Sequence, residues 1–77
     1  MLNVTWNQNS YAMYRAVIDG TPFFFRGMIE RKIADWVTAQ GLTVITEADV
    51  FRAVHELAPK GMAESKILPE LNKIKTV

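Results

Sequence analysis

The chain contains no cysteine and a single histidine. The first absence excludes disulfides and thiolate metal sites, and fits a reducing compartment; the expected location is therefore cytoplasmic. The second leaves no histidine pair to hold a metal within one chain. Long apolar runs are also missing. The longest is Tyr11-Ala12-Met13-Tyr14, far short of the ~20 residues that a bilayer-spanning helix needs. The N-terminal MLNVTWNQN has neither a basic stretch nor a long apolar region, so no secretory signal is expected. Neither sign of charge dominates. Nine basic and eight acidic residues leave a net charge of +1, too little to draw the whole molecule to nucleic acid or anionic lipid. The four glycines are widely spaced and form no phosphate loop. Ser10 and Ser65 have no evident His–Asp partners. With so few groups for acid–base or nucleophilic work, the sequence does not support an enzyme acting alone.

What the chain does have is apolar surface. Apolar residues make up 49% of its 77 positions, enough for one small core and too many for a disordered chain. The pattern predicts an all-α fold, a small bundle of three main helices plus a short C-terminal helix. Residues 1–58 form the helical domain and residues 59–77 a tail. Leu2 to Trp6 is short and alternating and reads as a strand-like or extended lead-in. Asn7, Asn9 and Ser10 are good N-caps for a first helix with Tyr11, Tyr14 and Ile18 on one face and Met13 and Val17 beside it. Asp19 to Pro22 ends it. A second helix is expected from about Phe23 to Gln40, with Phe25, Met28, Ile29, Ile33, Trp36 and Val37 on one side and an Arg31–Asp35 pair on the other. Gly41 stops it. Leu42 to Ile45 reads as a link that packs its apolar side chains.

Thr46 is the expected N-cap of the third helix, with Asp49 completing a weaker form of the capping box. Val50, Val54 and Leu57 form its stripe, and Pro59 and Gly61 close it. In the tail, from Met62 to Val77, Pro69 interrupts a helical pattern through Ile67, Leu68, Leu71 and Ile74, leaving a short helix that docks or frays. The expected core is Trp6, Phe25, Ile29, Ile33, Trp36, Ile45, Val50, Val54 and Leu57.

Four features bear on function. Phe23, Phe24 and Phe25 cannot all point inward from one turn, so at least one is left for solvent, a partner or a ligand; otherwise the cluster is core. Arg26 and Arg31, with Lys32, form either a patch for carboxylates or phosphates or a solvated helix face. His55 lies off the apolar stripe of its helix. It reads as a surface residue or as an axial ligand to a metallo-tetrapyrrole. The helices meeting at Gly41 resemble a helix-turn-helix, but TEADVFRAVHEL carries Glu47, Asp49 and Glu56 against Arg52, the wrong sign for phosphates, so no nucleic-acid partner is expected.

An ordered set of residues then points to a family. Trp6 precedes the first helix. Thr21-Pro22-Phe23-Phe24-Phe25-Arg26-Gly27 follows, then Arg31, Lys32 and Trp36 on a helix, Gly41, and Ile45-Thr46. Over residues 6 to 57 this resembles the C-terminal domain of the light-independent protochlorophyllide reductase B subunit. Thr21 and Ala34 depart from it, where the family places an aliphatic residue and a Glu. The nitrogenase-like part of the family, which holds its iron–sulfur ligand and most of its substrate pocket, does not occur in these residues. The resemblance implies a stand-alone accessory module in (bacterio)chlorophyll biosynthesis, without membrane insertion, binding a tetrapyrrole or a reductase-like partner through Phe23, Phe24, Arg26, Arg31 and His55. The alternatives are a protein-interaction module, for instance a homodimer through exposed Phe and tail residues, and a small subunit of a larger redox complex.

Overall fold

A computed structural model describes residues 3–58, 61 and 63–76. Among them are four α-helices: α1 (Ser10–Asp19), α2 (Arg26–Gln40), α3 (Glu47–Leu57) and α4 (Leu68–Ile74). A 3₁₀ turn, Phe23–Phe25, precedes α2, and a π-helical turn, Ala63–Ile67, leads into α4. The fold is predominantly all-α, as the apolar periodicity predicts. No described helix is long and apolar enough to cross a membrane.

The strand-like or extended lead-in finds a partner that the sequence did not show. Thr5–Trp6 (β1) and Val44–Ile45 (β2) pair in parallel, with Thr5 opposite Val44 and Trp6 opposite Ile45. Both segments are rich in β-branched and aromatic residues, which favour extended backbone. The lead-in and the link thus join each other, and β2 carries Ile45 into the core while leaving Val44 exposed. Leu2 lies outside the described residues.

The core gathers Met13 and Val17 of α1, Trp36 and Val37 of α2, Ile45 of β2, Val50, Ala53 and Val54 of α3, and Leu71 of α4. Four of the expected core residues are fully in place: Trp36, Ile45, Val50 and Val54. Trp6, Ile29, Ile33 and Leu57 pack partly buried against them. Phe25 is corrected outright, because it is exposed. On α1 the buried face runs through Ser10, Met13, Val17 and Ile18. Tyr11 lies outside it, its ring packed on Trp6 and Tyr14 instead.

Helix ends follow local chemistry closely. Gly41 takes φ 69, the left-handed conformation that glycine adopts without steric cost. Its N–H reaches the Thr38 carbonyl at 3.0 Å, and the Leu42 N–H reaches Val37 at 3.2 Å. At α3 the capping box is complete. The Asp49 N–H donates to Thr46 Oγ1 at 3.2 Å and the Thr46 N–H donates to Asp49 Oδ2 at 3.0 Å. Helix α3 ends at Leu57 with Ala58 extended (ψ 147), as the residue before a proline prefers. Pro59 itself, like Met62 and Val77, lies outside the described residues, and Gly61 lies beyond the end of α3. Pro69 does not interrupt the tail helix. It occupies the first turn of α4, where its missing N–H costs nothing. Arg31 and Asp35, expected to pair, form no ion pair among the described residues.

The tail is locked by a buried carboxylate. Glu47, in the first turn of α3, is only 2% exposed. Its Oε1 accepts the Thr76 N–H at 2.8 Å, and its Oε2 accepts the Thr76 hydroxyl at 2.9 Å and the Asn9 N–H at 3.0 Å. The Asn9 side chain donates to the Ile74 carbonyl at 2.9 Å, so it serves the tail and makes no side-chain cap on α1. Ser10 Oγ donates to the Ile45 carbonyl at 3.0 Å. Gln8, between β1 and α1, takes φ 50, a conformation that costs a non-glycine residue about 1–2 kcal/mol.

Candidate functional site

The turn between α1 and α2 carries three exposed phenylalanines in succession. Pro22, at φ −51 and ψ 139, delivers the chain into the 3₁₀ turn, and the Phe25 N–H donates to the Pro22 carbonyl at 2.8 Å. With three residues per turn, successive side chains point about 120° apart, so three adjacent rings cannot share one inward face. All three are exposed: Phe23 by 81%, Phe24 by 75% and Phe25 by 45%. Phe24 and Phe25 pack on each other, ring centroids 4.6 Å apart. Met28, in the first turn of α2, is also exposed.

Arg26 holds the ridge in place. Its Nε donates to the Thr21 carbonyl at 3.0 Å and its Nη2 to the Asp19 carbonyl at 3.2 Å. A cation at the carboxyl end of α1 also suits the negative pole of that helix. The guanidinium is thereby half spent on backbone, and its main effect is to fix the turn that presents the rings. Thr21 hydrogen-bonds through Oγ1 to the Val17 carbonyl at 2.9 Å. It closes the same loop.

Behind the ridge lies a cleft of about 350 Å³ between α1, α2 and α3, at the small end of ligand-site volumes. Its walls are mostly apolar, with Val17 from α1, Ile29 and Trp36 from α2, and Val50 and Val54 from α3. Phe25 and Met28 join the cleft to the ridge. Among the described residues two charged ones line it, Lys32 and Asp49. Asp49 is occupied by the capping box and by Arg52 at 3.3 Å. Lys32 makes no ion pair among the described residues. Trp36 is 8% exposed, and its indole N–H, closed off from solvent, has no hydrogen-bond partner among the described residues. A buried unpaired donor costs about 1–3 kcal/mol. The Arg52 guanidinium lies 5.3 Å from the Trp36 ring centre, a cation–π contact.

Tyr14 also lines the cleft, against Trp6 at 5.1 Å. Burial pushes its hydroxyl above the usual 10.0, and the Glu30 carboxylate adds to the rise; Arg15 opposes it and Tyr11 adds slightly.

Of the residues singled out in the sequence, Phe23, Phe24 and Arg26 come together in one turn. Arg31 is exposed on α2 and His55 exposed on α3, and neither is among the described residues lining the cleft. No cluster of three or more metal-binding side chains occurs among the described residues. Lys32 and Trp36 are the cleft residues whose joint position sequence reasoning missed. Their spacing of four on one helix was the available signal. Compared with protein-family models, with curated proteins and with solved structures, the chain finds no match.

Proposed function

We propose that this chain is an accessory docking module whose Phe23–Phe24 ridge seats on a reductase-like protein partner of the kind the resemblance implies, in cytoplasmic tetrapyrrole biosynthesis. One observation carries the reading. Two large rings stand three-quarters or more exposed on a turn fixed by Arg26, Thr21 and Pro22. A rigid aromatic pair costs little entropy to bury, and such residues dominate the energetics of interfaces. The direct test uses light-independent protochlorophyllide reductase whose B subunit lacks its own C-terminal domain. The present chain, added in trans, is expected to co-migrate with that complex, and Phe23→Ser with Phe24→Ser to abolish co-migration. Equal co-migration of the wild type and the double variant, or none by either, would overturn the reading.

A planar tetrapyrrole laid against the ridge is the second reading, favoured by the breadth of the aromatic surface. His55 does not join it at the cleft. A saturable Soret shift with protochlorophyllide or haem, lost in Phe24→Ala and kept in His55→Ala, would select the pigment over the protein partner.

A further inference from the structure

We infer that the cleft between α1, α2 and α3 is a binding site for a small amphipathic carboxylic acid, with the carboxylate held by Lys32 and Trp36. The inference is independent of the docking reading, because it concerns the cleft and not the ridge. Three features support it. The walls are apolar on all three helices, so the body of the ligand must be apolar. The charge available to a ligand at the cleft is cationic: Asp49 is taken up by Arg52 and by the Thr46 N–H, while the Lys32 ammonium, on an exposed side chain, makes no ion pair among the described residues. The buried Trp36 N–H lacks an acceptor among the described residues.

Lys32 and Trp36 stand one helical turn apart on α2, and both line the cleft. The proposed carboxylate pairs with the Lys32 ammonium through one oxygen; Trp36 Nε1–H, closed off from solvent in this structure, joins through the other once the indole turns toward the cleft. A cationic head group would be repelled by the ammonium, and a neutral one, although its oxygen can accept a hydrogen bond, would leave the ammonium without a counter-charge. The apolar body then lies along Val17, Val50 and Val54.

The test is a titration of the whole chain with decanoate, and with methyl decanoate as the uncharged control, read by tryptophan fluorescence. Trp6 and Trp36 both line the cleft, so either reports occupancy. Decanoate is expected to bind saturably at one per chain, about tenfold more tightly than the ester, since a charge-assisted contact is at stake. Lys32→Met should remove about that tenfold preference and leave ester binding unchanged. Trp36→Phe, followed through Trp6, should also weaken the acid selectively; Lys32 is exposed, so its variant keeps the test valid if Trp36→Phe fails to fold. Equal affinity for acid and ester, no effect of Lys32→Met, or no saturation by either ligand would overturn the assignment. Phe23→Ser is expected to leave decanoate binding intact, which separates a failure here from a failure of the docking reading.

Discussion

The two ends of this molecule treat their exceptional residues in opposite ways. At the Glu47 end a charged group is buried and bonded to backbone from both termini of the fold. At the Phe23 end apolar rings are pushed into water by a turn with well-satisfied backbone. Burying a carboxylate is costly unless it is fully hydrogen-bonded, and exposing phenylalanine forfeits burial free energy. The first cost is offset inside the chain, since Glu47 joins α1, α3 and the tail. The second has no compensation within the fold, which is why the ridge reads as functional surface and the Glu47 cluster as architecture.

The largest break in that comparison comes from Glu47→Ala. It leaves the Asn9 and Thr76 N–H groups without their acceptor, and is expected to cost about 3 kcal/mol and to release the tail. Urea denaturation would measure the loss; a change below about 1 kcal/mol would show that the cluster is not what locks the tail. Tyr14 probes the ground between the two ends. Its hydroxyl holds its proton more tightly folded than unfolded, because its folded pKa lies above 10.0. That contribution is complete below the unfolded value and is lost as pH rises through the raised one. Stability should therefore fall as pH rises above 10.0, and Tyr14→Phe should flatten the fall. An unchanged alkaline slope in Tyr14→Phe would remove Tyr14 from the account. The smallest effect belongs to the ridge. Phe23→Ser should change folding stability by no more than about 0.5 kcal/mol, as exposed substitutions do, even while it weakens docking. A loss of several times that amount would make Phe23 a structural residue and collapse the contrast.

Local signals were legible because their causes are local. Thr46, Asp49 and Gly41 act through backbone groups within a few residues, so the sequence shows their roles directly. That at least one ring of the phenylalanine run is exposed follows from turn geometry; that all three are exposed was decided by how the turn packs on the fold. Other features were hidden. Tyr11–Tyr14–Ile18 and Met13–Val17 both satisfy helical spacing, and only the packing of α1 against its neighbours buries Met13 and Val17 together with Ile18 and leaves Tyr11 outside. The burial of Glu47 depends on Thr76, 29 residues away, which no short window contains. Leu71 was part of a recognised pattern, but its docking required the tail to return across α1.

The sequence by itself determined the helical class, the caps, the stop at Gly41 and the forced display of aromatic side chains, because backbone hydrogen bonding and side-chain period are properties of neighbouring residues. Tertiary structure decided which helix faces became core, that β1 pairs with β2, that Glu47 holds the tail, and that Lys32 and Trp36 share a cleft. Those outcomes depend on which distant surfaces meet, and burial is a property of the assembled fold.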